Sequence, residues 1–180
     1  NAYTSLSETV YTLFNIPTTN QTLIDSCLLV LHDWSRYLLL TEEELDAERG
    51  VISEEWRGRQ TSSMRMRKQM APVVFAGSPY ATRTVIGDIN VIQNFKPETI
   101  RNFYYKWYRP NLEAIAIVGD IDPQAIEAKI IEMFSGIENP ENEIPLPFAE
   151  IPEYTEPRFV VATDKEATST NINLQMIMPA

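Results

Sequence analysis

The sequence is poor in several residue types that would point to particular functions. It has one cysteine and one histidine in 180 residues, so no disulfide can form within the chain and no multi-histidine metal site can be built from it. No apolar run approaches the roughly 18 residues that a membrane-spanning helix needs. Fifteen Lys and Arg face 25 Asp and Glu, and the net charge of −10 argues against nucleic acid as a partner.

The sequence does contain enough apolar material for a hydrophobic core. Hydrophobic residues make up 44% and aromatic residues 10%, and a chain of this length is most simply one domain with a tail. Cys27 lies at an apolar helical position and is predicted to be a buried thiol. Basic residues cluster between Arg57 and Lys68. We interpret this cluster as a solvated helix face, and a polyanion site is the alternative.

The most informative stretch is an acidic segment that begins at Thr41. Thr41 followed three residues later by Glu44 is a capping box, and the acidic residues directly behind it suit the positive end of a helix dipole. The segment therefore predicts the start of a long helix. We expect this helix to continue to Met70, with a kink near Gly58.

Two carboxylates, Glu48 and Glu55, are predicted to point into the apolar side of this helix. They are seven residues apart, about two turns, so both can address one centre. A carboxylate that faces the interior needs a hydrogen bond, an opposite charge or a cation. The alternative is that this side is only partly buried and both carboxylates are solvated. The apolar residues around them are Leu45, Val51, Ile52 and Trp56.

Three segments together resemble the insulinase/pitrilysin family of zinc peptidases, which includes the mitochondrial processing peptidases. Glu48 and Glu55 form the E-x6-E pattern of the family's ligand helix. Residues 1–5 resemble its N-A-x-T strand. Residues 108–111 and 115–120 resemble its Y-x-P-N and VGD segments. The resemblance covers roughly residues 1–136.

The resemblance implies a role for four residues. Glu55 is implied as the third Zn²⁺ ligand and Glu48 as its supporting carboxylate. The backbone of Asn1 and Ala2 is implied to bind extended peptide substrate as an added strand. The parent protein is then expected to be a zinc metalloendopeptidase. Since many bacterial members of the family are exported, a periplasmic or cell-envelope location is expected.

One element of the family pattern is absent from this sequence. The family takes two zinc ligands and its general base from an inverted H-x-x-E-H motif, whereas the only histidine here is His32, which we expect on the surface of a helix. We therefore expect no tightly bound zinc and no peptidase activity in this chain alone, and we interpret it as an excised piece of a longer enzyme. Two alternatives remain: a non-catalytic partner subunit that shapes a peptide-binding chamber, and a free-standing binding domain.

The predicted fold is α+β, with an antiparallel or mixed sheet and helices packed on one face. Each predicted strand is rich in β-branched or aromatic residues, and each predicted helix has a cap or a proline in its first turn. The strands are expected at residues 2–5, 8–16 and 114–118, and the helices begin at Thr19 or Asn20, at Thr41, at Lys96 and at Asp122.

Composition divides the chain into three parts. Residues 1–137 are predicted to be a partial peptidase domain, 138–157 a linker rich in proline and acidic residues, and 158–180 the opening hairpin of the next homologous domain, with strands at 159–162 and 172–178. We expect this hairpin to pair with the first sheet, within one chain or exchanged in a homodimer. The expected partners are thus a peptide substrate, the following domains or a partner subunit, and a second copy.

Overall fold

The structure is a computed structural model that describes residues 1–176. Six helices and one hairpin follow one another along the chain. The strands are β1 (Ala2–Thr4) and β2 (Thr9–Tyr11), and the helices are α1 (Gln21–Arg36), α2 (Glu42–Gly58), α3 (Ser62–Val74), α4 (Ile89–Asn94), α5 (Pro97–Trp107) and α6 (Pro123–Phe134). The α+β class and the antiparallel pairing are confirmed, although helices dominate and the described sheet has two strands.

The helix starts follow the capping residues of the sequence. The side chain of Asn20 accepts from Leu23 N at the start of α1, and Thr41 accepts from Glu44 N at the start of α2. The Thr41 hydroxyl also donates to Glu44 Oε2 at 2.7 Å. These bonds satisfy backbone donors that the first helical turn leaves unpaired.

The expected long acidic helix is two helices. α2 ends at Gly58, and α3 begins after Thr61, whose side chain accepts from Met64 N. The break therefore lies where a kink was predicted. A glycine favours termination there, and the new N-cap at Thr61 stabilises a separate start.

Three helix–helix contacts hold the helical part of the described residues together. α1 packs on α6, where Leu28 and Ile126 are buried and Lys129 pairs with Asp25. α2 packs on α4, and α1 meets α5 through Tyr104, whose ring is 3% exposed. The buried apolar set is small, and its members are Leu28, Ile92, Tyr104, Ile126 and Ile137.

The connection between α1 and α2 is short and unusual in conformation. Leu40 has φ +48°, a left-handed value that a bulky residue rarely adopts. Arg101 of α5 donates to Leu40 O at 3.0 Å. This tertiary contact helps to hold the turn and sets the direction in which α2 leaves α1.

The prediction of a central strand at residues 114–118 is wrong for this structure. The segment has no regular secondary structure, and Val118 is 98% exposed. A strand needs a partner for its backbone groups, and no neighbouring strand is provided by residues 1–176. The segment therefore has the apolar sequence of a buried strand but no strand beside it to bond its backbone groups.

The expected pairing of the last hairpin with the first sheet within one chain is also wrong for the described residues, while the exchanged pairing in a homodimer stays a prediction. Residues 158–176 form no strand, while residues 177 and 178 lie outside the described part. Large apolar side chains are exposed here, with Phe159 at 86%, Ile172 at 96% and Leu174 at 96%. The segment instead contacts α3 through side chains, because Asp164 pairs with Arg65.

The total solvent-accessible surface of this chain is larger than that of a compact monomer of the same mass. It measures 14002 Å², whereas a compact monomer of 20.6 kDa exposes about 8,900 Å². The excess surface carries exposed aliphatic and aromatic side chains that are normally covered in a compact fold.

In the described part, no helix is long and apolar enough to cross a bilayer.

Candidate functional site

The hairpin β1–β2 has a geometry that defines which backbone groups face outward. Asn1 and Thr12 exchange both backbone bonds, at 2.8 and 2.7 Å, and the register pairs Ala2 with Tyr11 and Thr4 with Thr9. Pairs alternate between hydrogen-bonded and non-hydrogen-bonded along an antiparallel ladder. The backbone groups of Ala2 and Thr4 therefore point away from β2, towards an edge that no other strand of residues 1–176 covers.

This geometry changes the expected role of Asn1. Its backbone N–H and C=O are both engaged by Thr12, while its side-chain Oδ1 accepts from Ala2 N at 2.9 Å. Asn1 thus shapes the edge through its amide, and the outward backbone groups are those of Ala2 and Thr4.

An aromatic cluster fixes the hairpin to the helices. The Tyr11 hydroxyl hydrogen-bonds to the Tyr108 hydroxyl, and the Tyr11 ring lies 5.5 Å from Trp34. The Tyr108 ring is 4.7 Å from Tyr104. Burial raises the pKa of Tyr108, and it raises the pKa of Tyr104 to about 12, so both stay neutral at physiological pH. The cluster therefore positions β2, and with it the open edge of β1.

Both candidate carboxylates lie on α2, and both are solvent-exposed. The predicted inward orientation of Glu48 and Glu55 is thus not seen in this chain. Glu55 is the C-terminal member, and its Oε1 accepts from Arg59 Nε at 2.9 Å and from Arg59 Nη2 at 2.6 Å. Arg59 is the C-cap residue of α2, so its side chain folds back over the last turn.

The Glu55 carboxylate fits one ligand position of a zinc site. Arg59 holds Oε1, and Oε2 accepts no hydrogen bond from any described residue. A carboxylate oxygen is a normal zinc ligand, and a hydrogen-bonded second oxygen orients such a ligand. Residues 1–176 contain no cluster of three His, Cys, Asp or Glu side chains suited to a metal. A zinc site that included Glu55 would therefore need its other ligands from outside this set.

Arg49 fixes the opposite side of α2, and sequence reasoning missed it. Its Nη1 donates to Ile92 O at 2.7 Å and its Nη2 to Phe95 O at 3.1 Å, while the guanidinium lies 3.8 Å from the Phe95 ring. Asp46 completes the set with an ion pair. A guanidinium bonds two separate carbonyls with a rigid fork, so Arg49 docks α4 against α2. No local sequence signal marks this role, because its two carbonyl partners lie 43 and 46 residues away.

The Y-x-P-N segment has a structural role here. Arg109 is 3% exposed, donates through Nη2 to Ile144 O at 2.7 Å and pairs with Glu143. Asn111 also hydrogen-bonds to Glu143. The segment thus holds the start of the predicted linker against the end of α5.

His32 is packed more closely than predicted. Its side chain is 19% exposed, and the ring stacks on Tyr37 at 4.7 Å and meets Phe134 edge-on at 5.3 Å. Its Nδ1 is 3.1 Å from Asp33 Oδ1. His32 is therefore half-buried and not fully on the surface, because Tyr37 and the α6 residue Phe134 cover part of its ring.

An open apolar groove of about 430 Å³ runs between α6 and the segment before it. It is formed by the same apolar run that was expected to be a strand, together with one face of α6. The lining residues are Ile115, Ile117, Val118, Gly119, Ile121, Pro123, Ile126, Glu127, Ile130 and Ile131.

Comparison with known proteins places this geometry among zinc proteases. The chain is 34% identical over 182 residues to the probable zinc protease PqqL of Escherichia coli, covering 99% of this chain and 19% of that protein. It is 36% identical over 140 residues to the probable zinc protease PqqL of Haemophilus influenzae, covering 78% of this chain and 15% of the relative. The chain therefore spans less than a fifth of the length of these relatives.

Solved structures agree with the sequence comparison. The crystal structure of the first half of the periplasmic protease PqqL from Escherichia coli matches with a TM-score of 0.75 and 33% identity, over 87% of this chain and 32% of that one. A mutant of the ferredoxin protease FusC, in complex with Arabidopsis ferredoxin, matches with a TM-score of 0.76 and 30% identity, over 84% and 16%. Residues 94–180 match the family described as the peptidase M16 inactive domain. The chain thus belongs to the insulinase/pitrilysin family of zinc peptidases, M16.

Proposed function

We propose that this chain is part of the peptidase unit of a zinc-dependent endopeptidase and supplies one zinc ligand, Glu55. The observation that carries the proposal is the geometry of the Glu55 carboxylate, with one oxygen held by Arg59 and the other free of hydrogen bonds from residues 1–176. Bound zinc would polarise a peptide carbonyl and activate water. Glu48, two turns earlier on α2, supports the site by its negative charge.

The open edge of β1 is the proposed peptide-binding edge. The outward N–H and C=O of Thr4, with the C=O of Ala2, can pair with an extended peptide as an added strand, whereas the Ala2 N–H is held by Asn1 Oδ1. Such pairing gives affinity through the backbone and little selectivity by side chain. The aromatic cluster keeps this edge in place, because Tyr11 is its contact from the hairpin.

The first test measures zinc in the whole protein that carries this chain. Glu55→Gln keeps the size of the side chain and removes its charge, so we expect zinc content and peptidase activity to be lost together. Glu54→Gln is the matched control, since Glu54 is the neighbouring exposed carboxylate and pairs with Arg57. Full zinc occupancy in Glu55→Gln would show that Glu55 is not a ligand.

The second test concerns the strand edge. Thr4→Pro removes the outward N–H of Thr4, whereas Thr4→Val keeps it and removes only the hydroxyl that contacts Thr9. We expect Thr4→Pro to raise KM for peptide substrates with little change in kcat, and Thr4→Val to resemble the wild type. Equal KM values for the two variants would argue against strand addition.

A non-catalytic partner subunit is the second candidate. The match of residues 94–180 to the M16 inactive domain favours it. In that case the whole protein holds no zinc, while Thr4→Pro still weakens peptide binding.

The periplasmic location given for PqqL of Escherichia coli supports a cell-envelope location for this protein, which fractionation of the source cells would test.

A further inference from the structure

The outer face of α3 is occupied by a distant part of the chain. Arg65 donates through Nε to Asp164 Oδ2 and through Nη2 to Asp164 Oδ1, both at 2.7 Å, and Nη2 also reaches Glu166 Oε2 at 2.6 Å. The Asp164 side chain is 9% exposed. This is a two-point guanidinium–carboxylate contact, the geometry with the greatest directional strength.

Residues 152–166, here called the strap, follow α3 along most of its length. Gln69 donates to Thr163 O at 3.1 Å, and Arg158 donates to Val73 O at 3.0 Å. The Tyr154 hydroxyl donates to Ala76 O at 2.7 Å, and its ring lies 3.3 Å from the Arg158 guanidinium. Val73 O is one of the carbonyls that the last helical turn leaves unpaired. The strap therefore satisfies polar groups of α3 as well as pairing charges.

Arg65 has one further contact, and it connects the strap to α2. Its Nη1 donates to Gln60 O at 2.5 Å. Gln60 lies in the turn between α2 and α3, directly after Arg59, which holds the Glu55 carboxylate. One guanidinium thus joins the strap to the turn that ends the Glu55 helix.

We propose that Arg65, held by the docked strap, is a positioning residue for Glu55. The strap fixes the Arg65 fork, the fork fixes the turn at Gln60, and the turn fixes Arg59 against Glu55. The inference rests on the proposed role of Glu55 as a zinc ligand. It also assigns this face of α3 as the docking surface for the strap, which spans the end of the predicted linker and the residues that follow it.

The charges of the contact support a persistent clamp. Hydrogen bonds from Arg65, followed by one from the Glu166 backbone, lower the pKa of Asp164 to about 2. Asp164 is therefore ionised throughout the physiological pH range, and Arg65 is always charged. Both members of the ion pair are consequently charged throughout the physiological pH range.

The test uses the whole protein with Arg65→Gln, Asp164→Asn and the control Arg67→Gln, which changes an exposed arginine on the same helix. Zinc affinity is measured by competition with a chromogenic chelator, and amide exchange is followed in residues 57–62. We expect the two clamp variants to weaken zinc affinity at least about threefold, below the usual effect of removing a direct partner of a ligand. Exchange in residues 57–62 should rise in both variants, and Arg67→Gln should match the wild type.

A double variant with the two charges exchanged distinguishes the positioning of Glu55 by Arg65 from a general loss of strap docking. Arg65→Asp combined with Asp164→Arg restores the ion pair but not the bond to Gln60 O, so the strap should dock again while zinc affinity stays low. If Arg65→Gln and Asp164→Asn bind zinc as tightly as the wild type, Arg65 does not position Glu55. If the wild type itself holds no zinc, the proposed function fails instead. Amide exchange in residues 57–62 of the variants then still shows whether the strap holds the end of α2.

Discussion

Tyr104 offers a sharp test of how the helices are joined, because a single hydroxyl group bridges α5 and the end of α1. The hydroxyl donates to Trp34 O at 2.9 Å, and Leu38 N donates to it at 3.4 Å. In a continuing helix Leu38 N would bond Trp34 O directly. The hydroxyl replaces that lost bond at the helix end.

The expected cost of Tyr104→Phe follows from this geometry. The residue is 3% exposed, so removal of the hydroxyl leaves a poorly solvated carbonyl without its donor. Loss of such a partner costs about 1–2 kcal/mol of the free energy of unfolding. For a chain of this size that corresponds to a fall in melting temperature of about 3–6 °C.

The assay is urea unfolding of the chain followed by circular dichroism, with Tyr105→Phe as the matched control. Tyr105 is the neighbouring tyrosine, 44% exposed, and its ring faces Arg36 through a contact that phenylalanine preserves. We expect the control to unfold like the wild type. If Tyr104→Phe is no less stable than Tyr105→Phe, the hydroxyl is not the link that joins α5 to α1.

The same hydroxyl predicts a dependence on alkaline pH. Burial raises the pKa of Tyr104 from 10.0 to about 12 in the folded chain. The folded state therefore holds the proton more tightly than the unfolded state, and this stabilisation is complete below pH 10 and disappears as the pH rises through about 12. The stability difference between the wild type and Tyr104→Phe should accordingly narrow between these values. A constant difference would show that Tyr104 does not titrate as a buried group.

Three further outcomes are expected. Arg49→Lys should lower the free energy of unfolding by about 1–3 kcal/mol in urea titrations, because lysine cannot bond the carbonyls of Ile92 and Phe95 with one rigid fork. The control Arg57→Lys should have no effect. Leu28→Ala, at a side chain 2% exposed, should cost about 2–5 kcal/mol in the same assay. Since the pKa of Asp164 is lowered to about 2, the contact between the strap and Arg65 should be intact above about pH 4 and be lost as the pH falls through 2. Amide exchange of residues 158–166 measures this loss, and Asp164→Asn should remove the pH dependence.

The local elements could be predicted from the sequence because their signals are local. Asn20, Thr41 and Asp122 cap α1, α2 and α6 as expected, since each side chain bonds to backbone donors two or three residues away. A kink near Gly58 was also predicted, although the structure has two separate helices there. The short α4 was not, because six residues carry too little periodicity to be distinguished from a loop.

The strand at residues 114–118 shows the limit of pattern reasoning. Its continuous apolar run is typical of a buried strand, and yet Val118 is almost fully exposed. Strand formation depends on a partner, whereas a helix closes its hydrogen bonds within itself. The same reason explains why residues 158–176 have strand-like alternation without a ladder.

The candidate site divides along the same line. The sequence predicted Glu55 and Glu48 as the carboxylates of interest and the first residues as a strand edge, and their roles as ligand and peptide edge stay predictions. The arginines that hold the site could not be predicted. Arg49 and Arg65 act through bonds to carbonyls and carboxylates from 43 to 101 residues away.

By itself, the sequence determined the family, the helix caps and the acidic helix that carries Glu48 and Glu55, because these depend on short motifs and on hydrogen bonds between near neighbours. Only the tertiary structure decided where the strap docks on α3, which distant carbonyls Arg49 binds and how the aromatic cluster fixes the hairpin to the helices. These features arise from side chains that meet across long stretches of chain, and a guanidinium in the sequence does not specify which distant carbonyl or carboxylate it will bind.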